Sequence, residues 1–442
     1  LTCDWSSDVC SSDLRQGALP GEDFKELGRD TEEGIESAKI LVEAGYDVLN
    51  VDAGTYDSWY WNHPPMYFNQ GGIYLSFARI LKKEVNVPII AAGRMDDPEI
   101  ATKAIEEGDC DIIGLGRPLL ADPYLPKKIK EGKIHKIRPC LSCHEGCMGR
   151  IASGGALSCA VNPVCGREKS YGIVPASTNK EVMIIGGGIS GMESARVCAL
   201  RGHEVNLYEK TSQLGGHVIA GSMPSFKKND NELLKWYERE LKDLNVNIYF
   251  NTEVDIDFVK QEKPDVVIVS TGSTSINLDL PGIEKNNVIS ADNALLDISK
   301  IGNNVAIVGA GLVGCETALW LRQNNKKVTL IESTDKILSG GSNMPFMNYD
   351  MLKDLLNYNK VNIATSSIVS NISEEGIIVK TKCGEKTFNV DTIILSVGYK
   401  SDDSLYWKLD KLVDDIYLVG DAKNVKNIMY AIWDAYEITR NI

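Results

Sequence analysis

Long hydrophobic runs are missing from this chain: nothing in its 442 residues approaches 18 uninterrupted apolar side chains, which excludes a transmembrane helix as a reading. Positive charge is in deficit, 47 Lys and Arg against 61 Asp and Glu, for a net charge of -14. That balance argues against nonspecific nucleic-acid binding and against docking on an anionic membrane. No basic segment followed by an apolar run opens the chain, so no signal peptide is read. An even spread of cysteines is also absent. Of the 11, four fall between Cys140 and Cys159, which is the clustering of ligands rather than of a secreted disulfide framework and points to a reducing cytoplasm. What remains is ordinary for a globular protein, 43% hydrophobic and 24% charged, with length for two to four domains.

Residues Leu1–Leu14, LTCDWSSDVCSSDL, lack periodicity. Asp4–Leu14 is also what one frame of a common sequencing adapter encodes. The stretch is therefore read as an assembly artefact, the natural protein being expected to begin upstream, and Cys3 and Cys10 carry no weight.

From Arg15 to about Lys136 helices and strands alternate. Helices are expected over Thr31–Ala44, Ile73–Glu84 and Pro98–Glu107, and strands over Asp47–Val51, Val87–Ala92 and Asp111–Leu115. Alternation of this kind means parallel βα units. Three units cannot close an eight-stranded barrel, so the segment is either a small open sheet or, as the adapter-like start favours, the last part of a barrel. Arg138–Arg167 carries the cysteines with little regular structure, and Tyr171–Lys180 reads as a linker.

Two copies of one pattern follow, EVMIIGGGISGMESARVCALRGHEVNLYEK from Glu181 and NVAIVGAGLVGCETALWLRQNNKKVTLIES from Asn304. In the first, strand Val182–Ile185 leads into Gly186, Gly188 and Gly191, a helix, and strand Glu204–Tyr208 ending at Glu209. In the second, Val305–Val308 leads into Gly309, Gly311 and Gly314, a helix, and Lys327–Ile331 ending at Glu332. Each acid lies 23 residues after its first glycine. The first glycine permits a tight turn, the second lets the backbone approach a pyrophosphate, and the third lets helix and strand pack closely. The helix N-terminus offers free N–H groups to phosphate, and the carboxylate accepts from ribose hydroxyls. A carboxylate at Glu332 repels a 2′-phosphate, which predicts NADH over NADPH.

The stretches Gln213-Leu214-Gly215-Gly216, Val269-Ser270-Thr271-Gly272 and Leu418-Val419-Gly420-Asp421 resemble those of the two-dinucleotide-binding flavoproteins. That resemblance covers Glu181 to the C-terminus. It implies FAD at the first fingerprint, with Gly215, Gly216 and Gly420 at that site, and NAD(P)H at the second, and it gives Asp421 a hydrogen bond to the flavin ribityl chain. No C-x-x-C follows the first copy, so a disulfide oxidoreductase of the thioredoxin-reductase kind is not expected.

Cys140, Cys143, Cys147 and Cys159 give C-x2-C-x3-C-x11-C. Four thiolates bind zinc or an iron–sulfur cluster, and the spacing alone does not choose. A neighbouring flavin that takes two electrons from NADH favours [4Fe–4S], a one-electron carrier, over zinc. Cys165 lies outside the spacing. Cys110, Cys198, Cys315 and Cys383 sit in helix or strand patterns and are expected to be inert buried thiols.

The order of barrel end, cysteines, FAD site and NAD site resembles the NADH:flavin oxidoreductase family of 2,4-dienoyl-CoA reductase, the 2-enoate reductases, the bile-acid-inducible NADH:flavin oxidoreductases and trimethylamine dehydrogenase. The motifs that carry the resemblance, from about Leu27 to Ile442, are Ala91-Ala92-Gly93-Arg94, Gly116-Arg117-Pro118-Leu119-Leu120-Ala121-Asp122-Pro123, and Val161-Asn162-Pro163 after the cysteines. The implied fold class is α/β: the C-terminal part of an FMN-binding (β/α)8 TIM barrel, a cysteine-rich iron–sulfur segment, and a Rossmann-like FAD/NAD module. The implied boundaries are 1–14 artefact, 15–137 barrel part, 138–170 cluster segment, 171–300 and 391–442 FAD-binding domain, and 301–390 NAD-binding domain. Gly93, Arg94, Gly116 and Arg117 would bind the FMN phosphate, and they follow two successive strands where such barrels hold phosphate. The loop Gly54–Gly72 offers His63, Tyr60 and Tyr56 for a Tyr/His pair that protonates substrate.

The implied activity runs electrons from NADH to FAD, to [4Fe–4S], to FMN, and on to an activated C=C bond of an enoate, a dienoyl-CoA or a 3-oxo-steroid-type substrate, in either direction. Two alternatives stay open, an amine oxidoreductase of the trimethylamine dehydrogenase type and an electron-transfer module without its own substrate. A small-molecule partner is expected, with neither nucleic acid nor membrane. A homo-oligomer or an electron-transfer partner protein is left open.

Overall fold

In a computed structural model the chain is described over residues 30–54, 59–68, 70–339 and 344–442. The adapter-like start and the candidate Tyr56 lie outside the described residues. The chain divides into two compact units, residues 1–144 with 345–355, and residues 145–344 with 356–442.

The first unit holds a three-stranded parallel sheet in the order β1 (Leu49–Val51), β2 (Ile89–Ala91), β3 (Ile112–Ile113). Leu49 pairs with Ile89, and Ile90 with Ile112. Helices Thr31–Glu43, Leu75–Leu81 and Pro98–Glu106 alternate with these strands as expected, with shorter ends. The first is closed by a capping box between Asp30 and Glu33, and the third by Asp97 ahead of Pro98, each cap satisfying N–H groups that the helix leaves open. Ala38, Leu49, Val51, Ala78, Leu81, Ile89 and Ala91 form the buried centre. The parallel sheet therefore presents the C-terminal ends of β1, β2 and β3 on one side, the side where βα units carry their ligands. Within the aromatic loop a short helix, Trp59–Asn62, forms where only loop was expected; its Tyr60 and Trp61 are buried.

In the second unit two five-stranded parallel sheets answer the internal repeat. In chain order their strands are β4 (Glu181–Ile185), β5 (Glu204–Tyr208), β6 (Asn247–Tyr249), β7 (Val266–Val269), β9 (Val288–Ser290), β10 (Asn304–Val308), β11 (Lys327–Ile331), β12 (Asn362–Ala364), β16 (Thr392–Leu395) and β18 (Ile416–Leu418). The first sheet has the order β18-β7-β4-β5-β6, and the second β12-β11-β10-β16-β9. The repeated unit is strand, glycine turn, helix, strand: β4, Ile189–Arg201, β5, and then β10, Leu312–Gln323, β11. An antiparallel meander, β13 (Ile368–Ser373), β14 (Gly376–Thr381) and β15 (Gly384–Asn389), is inserted before β16. The second sheet thus runs from Val288 to Leu395. Two short strands join the halves, β8 (Ser273–Ser275) leaving the first sheet and β17 (Tyr399–Ser401) returning to it, paired antiparallel.

Cys110, Cys198 and Cys315 are buried as expected, whereas Cys383 is exposed. It falls in the turn between β14 and β15, where the hairpin reverses at the surface. No helix among the described residues is long and apolar enough to cross a membrane.

Candidate functional sites

The two fingerprints have one geometry. Gly186 and Gly309 take φ of 106° and 98°, values that an L side chain rarely adopts. A Cβ on Gly191 would overlap the Gly186 carbonyl, and one on Gly314 the Gly309 carbonyl, so in both copies the third glycine is what lets helix approach strand. At the middle position, Gly188 or Gly311, a Cβ would meet nothing within 4 Å. The backbone there faces open space at a helix N-terminus, the shape a pyrophosphate needs.

The acids also match. Glu209 Oε2 accepts from Gly187 N and Oε1 from Thr211 N, both at 2.8 Å. Glu332 Oε2 accepts from Ala310 N and Oε1 from Thr334 N, again at 2.8 Å. A carboxylate oxygen has two lone pairs, so each acid is anchored to its glycine turn and keeps acceptor capacity for ribose hydroxyls. Burial pushes the Glu332 carboxyl up, but the Thr334 and Ala310 N–H groups outweigh it and hold the acid below its ordinary value. It is an anion at neutral pH, as repulsion of a 2′-phosphate requires.

Around the first fingerprint the remaining predicted residues gather. Gly215 donates to Gly187 O at 2.8 Å and bridges Gly188, and Gly216 adopts φ of 55° beside Gly188. At Gly420 (φ 65°) a Cβ would run into the Ser190 side chain, so this turn sits against the fingerprint helix. The next residue, Asp421, accepts from Lys426 N at 3.1 Å and from Ser273 Oγ at 3.4 Å, and burial raises its pKa. The final helix, Ile428–Thr439, packs on Ile189–Arg201.

Of the four cysteines, Cys140 and Cys143 belong to the first unit, Cys147 and Cys159 to the second. Ser142 and His144, on either side of Cys143, take φ of 52° and 61°, a backbone that wraps tightly. In the second unit Ser158 N and Oγ both bond to Gly146 O, at 2.9 and 2.8 Å, and a Cβ on Gly146 would collide with the backbone of Cys159 and Ala160. Cys147 and Cys159 are therefore carried on segments packed main chain to main chain, and thiolates on such cradled turns suit a cluster. Trp433, on the final helix, donates to Cys159 O at 3.0 Å. Among the described residues no group of three or more His, Cys, Asp or Glu side chains is placed to hold a single metal ion.

In the first unit Gly93 and Arg94 follow β2, and Gly116 and Arg117 follow β3. A Cβ on Gly93 would run into the Tyr74 ring, while Gly116 faces open space. Arg94 is inward-turned, donating to Phe68 O with its Nε buried and unpartnered, and burial lowers its pKa. Arg117 donates to Pro64 O at 2.9 Å and to His144 Nε2 at 2.6 Å. His144 in turn meets Asn348 Oδ1 through Nδ1 at 2.7 Å, so the ring is the neutral Nδ1–H tautomer. Burial, then the Arg117 charge, keep its pKa well below the ordinary value.

Tyr60 is 3% exposed and donates to Asp354 at 3.1 Å. His63 stacks on Trp59, centroids 5.2 Å apart, with Nδ1 buried and unpartnered. Burial, with the Arg117 charge beside it, pushes the ring down to about 4. It is neutral at pH 7, a hydrogen-bond donor or acceptor rather than an imidazolium acid. One group at this edge escaped the sequence reading. Asp52, directly after β1, is raised to about 6 by burial, against hydrogen bonds from Ala53 N and Tyr74. Its signal was an acid at the C-terminal end of a parallel strand.

Comparison with known proteins agrees with this layout. Residues 20–136 match the NADH:flavin oxidoreductase / NADH oxidase family, and residues 180–435 the pyridine nucleotide-disulphide oxidoreductases. The chain is 50% identical over 430 residues to a cinnamate reductase of Clostridium sporogenes, covering 97% of this chain and 64% of that one. To an NADH oxidase of Thermoanaerobacter brockii it is 36% identical, covering 95% and 65%. It is similar to a solved 2-naphthoyl-CoA reductase in complex with 2-naphthoyl-CoA, with a TM-score of 0.87 and 31% identity over 93% of this chain and 62% of that one. The chain thus spans somewhat less than two thirds of these relatives. Their families use FMN, FAD and NAD, and the 2-enoate reductase type carries a [4Fe–4S] cluster. A set of βα units followed by a duplicated dinucleotide fold, matched collinearly across nearly the whole chain, leaves one assignment: the protein belongs to the NADH:flavin oxidoreductase family.

Proposed function

We propose that this chain takes electrons from NADH and serves the reduction of an activated C=C bond, with an arylacrylate or other 2-enoate as the first substrate class to test. The observation that carries the reading is the collinear 50% identity with a cinnamate reductase. When bound, the cofactors supply a relay: hydride from NADH to FAD, single electrons through [4Fe–4S] to FMN, and hydride to the β carbon of the substrate.

The chain's own residues have these roles. Gly186, Gly188, Gly191 and Glu209 hold the FAD pyrophosphate and ribose, with Gly215, Gly216, Gly420 and Asp421 around the remainder. Gly309, Gly311, Gly314 and Glu332 hold NADH and reject a 2′-phosphate. Cys140, Cys143, Cys147 and Cys159 are the cluster ligands. The hydrogen bond from Trp433 to Cys159 supports a short route, because Trp433 stands on the helix that packs against the FAD fingerprint helix. Arg94 and Arg117, with Gly93 and Gly116, take the FMN phosphate. On the aromatic loop His63 is the polar group proposed for substrate, with Tyr56 a second candidate, while the Tyr60 hydroxyl is engaged by Asp354.

Amine dehydrogenases are more distant relatives, 25% identical in the case of a dimethylamine dehydrogenase, and the intact second fingerprint favours an NADH-using enzyme over them. The test is anaerobic incubation with NADH and (E)-cinnamate, with product chromatography beside the flavin spectrum. Formation of 3-phenylpropanoate at the expense of NADH supports the reading. Flavin bleached by NADH with no enoate consumed would reduce it to an electron-transfer module. Flavin reduced by trimethylamine but not by NADH would replace it.

A further inference from the structure

Outside the motifs, a connected polar cluster of the second unit lies where the chain passes between its two sheets. Strands β8 and β17 make that double crossing, paired Ser273↔Ser401 and Ser275↔Tyr399. His217 follows the Gly215-Gly216 turn of the first half. Asp292 lies in the first turn of the helix Ala291–Leu296, which follows β9 of the second sheet, and this helix packs on His217–Gly221.

Three hydrogen bonds close the crossing. His217 Nδ1 lies 2.9 Å from Asp292 Oδ2, His217 Nε2 lies 2.9 Å from Ser273 O, and Tyr399 OH donates to Asp292 Oδ1 at 2.7 Å. The Tyr399 ring stands 4.7 Å from the His217 ring. A carboxylate and a backbone carbonyl can only accept, so both ring nitrogens carry hydrogen and His217 is an imidazolium. The Asp292 hydrogen bond raises its pKa accordingly, and His217 and Tyr399 hold Asp292 below its ordinary value. Asp421, from the turn after β18, is the further acid facing His217. Both oxygens of Asp292 are thus engaged, one by the first half and one by the crossing strand.

We propose that His217 and Asp292 form a latch across the β8–β17 hinge that fixes the NADH-binding half in its working orientation on the FAD-binding half. This rests on the assignment of FAD and NADH to the two fingerprints. His217 and Asp292 are positioning residues: they act through the angle between the halves, and hydride transfer is steeply sensitive to the separation of donor and acceptor. Asparagine at 292 removes the negative charge that holds the imidazolium and can meet Tyr399 only as a donor to its hydroxyl, so it weakens the latch.

The experiment uses the full chain, purified without oxygen, as wild type and as Asp292→Asn, His217→Ala and Tyr399→Phe. Three quantities are read: FAD per chain, amide exchange of the segments 273–276, 291–296 and 398–401, and the KM for NADH against the maximal rate of flavin bleaching. The expected result is unchanged FAD, exchange in those segments faster by on the order of tenfold, and a maximal bleaching rate lowered by roughly tenfold or more with KM little changed. Tyr399→Phe should lie between wild type and the other two. Unaltered exchange overturns the latch, and so does a loss confined to KM or an unaltered bleaching rate. Wild type without FAD would sink the assignment of the fingerprints instead, and the exchange measurement alone would then decide for or against the latch. Should His217→Ala fail to fold, Asp292→Asn and Tyr399→Phe carry the test.

Discussion

Asp52 is expected to lower the protein's stability at neutral pH, and its replacement by asparagine should reverse that effect in a pH-dependent way. Its carboxyl rises from an ordinary 3.8 to about 6, chiefly through burial. A folded-state pKa above the unfolded one means that the native state binds the proton more tightly. Stability contributed by this group is therefore present at low pH and lost as pH climbs from about 4 to 6. Above pH 6 the native state carries an ionised acid in a buried position, which costs about 3 kcal/mol over that pH interval at roughly 1.36 kcal/mol per pH unit. The asparagine of an Asp52→Asn variant would accept from Ala53 N as the native carboxylate does at 2.7 Å. Its amide would take the carboxyl's place beside the Tyr74 hydroxyl, able to accept from it or donate to it. Asp52→Asn should then stabilise the first unit at pH 7.5 by roughly 1–3 kcal/mol, a discount allowing for imperfect amide geometry, and change little at pH 4. The two units need not unfold together, so the assay is urea-dependent amide exchange of peptides covering 49–54 and 89–92 at both pH values. Equal gains at the two pH values, or a loss at pH 7.5, would refute the reasoning. Because Asp52 stands at the C-terminal end of β1, where βα units carry their ligands, the same variant should lower enoate turnover while leaving NADH-driven flavin bleaching intact.

The duplicated glycine geometry predicts separable defects: Gly191→Ala should abolish FAD retention, and Gly314→Ala should keep FAD but lose reduction by NADH, as flavin analysis and anaerobic spectra would register. Removing the 2′-phosphate filter with Glu332→Gln should raise the KM for NADH and narrow the preference over NADPH by on the order of tenfold, since one to two hydrogen bonds to an anion are lost; an unchanged ratio would argue that Glu332 does not face the ribose. Cys159→Ser should lower bound iron with FAD retained, and iron content equal to wild type would exclude Cys159 as a ligand. Because the His63 ring sits near 4, its ionisation should leave no limb in the turnover profile between pH 5.5 and 8; a limb near 6.5 that His63→Asn removes would contradict the assigned environment.

What the sequence made legible is local. A glycine fingerprint states its own geometry, because the turn, the close approach and the distant acid all fall within one βαβ unit, and both copies folded as read. Helices Thr31–Glu43 and Pro98–Glu106 were marked by Asp30, Asp97 and Pro98 within a turn of their starts. Strand ends were less visible: the expected Asp111–Leu115 reduces to Ile112–Ile113, because ladder pairing with β2 sets its length and local propensity does not. Residues whose partners lie far along the chain were invisible. His144 meets Asn348 across 204 residues, and His217 meets Asp292 across 75, distances over which no pattern in a single sequence reports contact. Cys383 misled because its surroundings read as a helix or strand pattern, whereas the reversal between β14 and β15 puts the thiol at the surface.

The most direct test of the central claim, that this chain is an NADH-fed iron–sulfur flavoprotein, is to purify it without oxygen, assay iron, sulfide, FAD and FMN, and then add NADH. The expected result is FAD with about four irons and matching sulfide per chain, as four cysteinyl ligands imply, and a flavin spectrum that bleaches on addition of NADH. Zinc in place of iron, or flavin that NADH leaves oxidised, would contradict it.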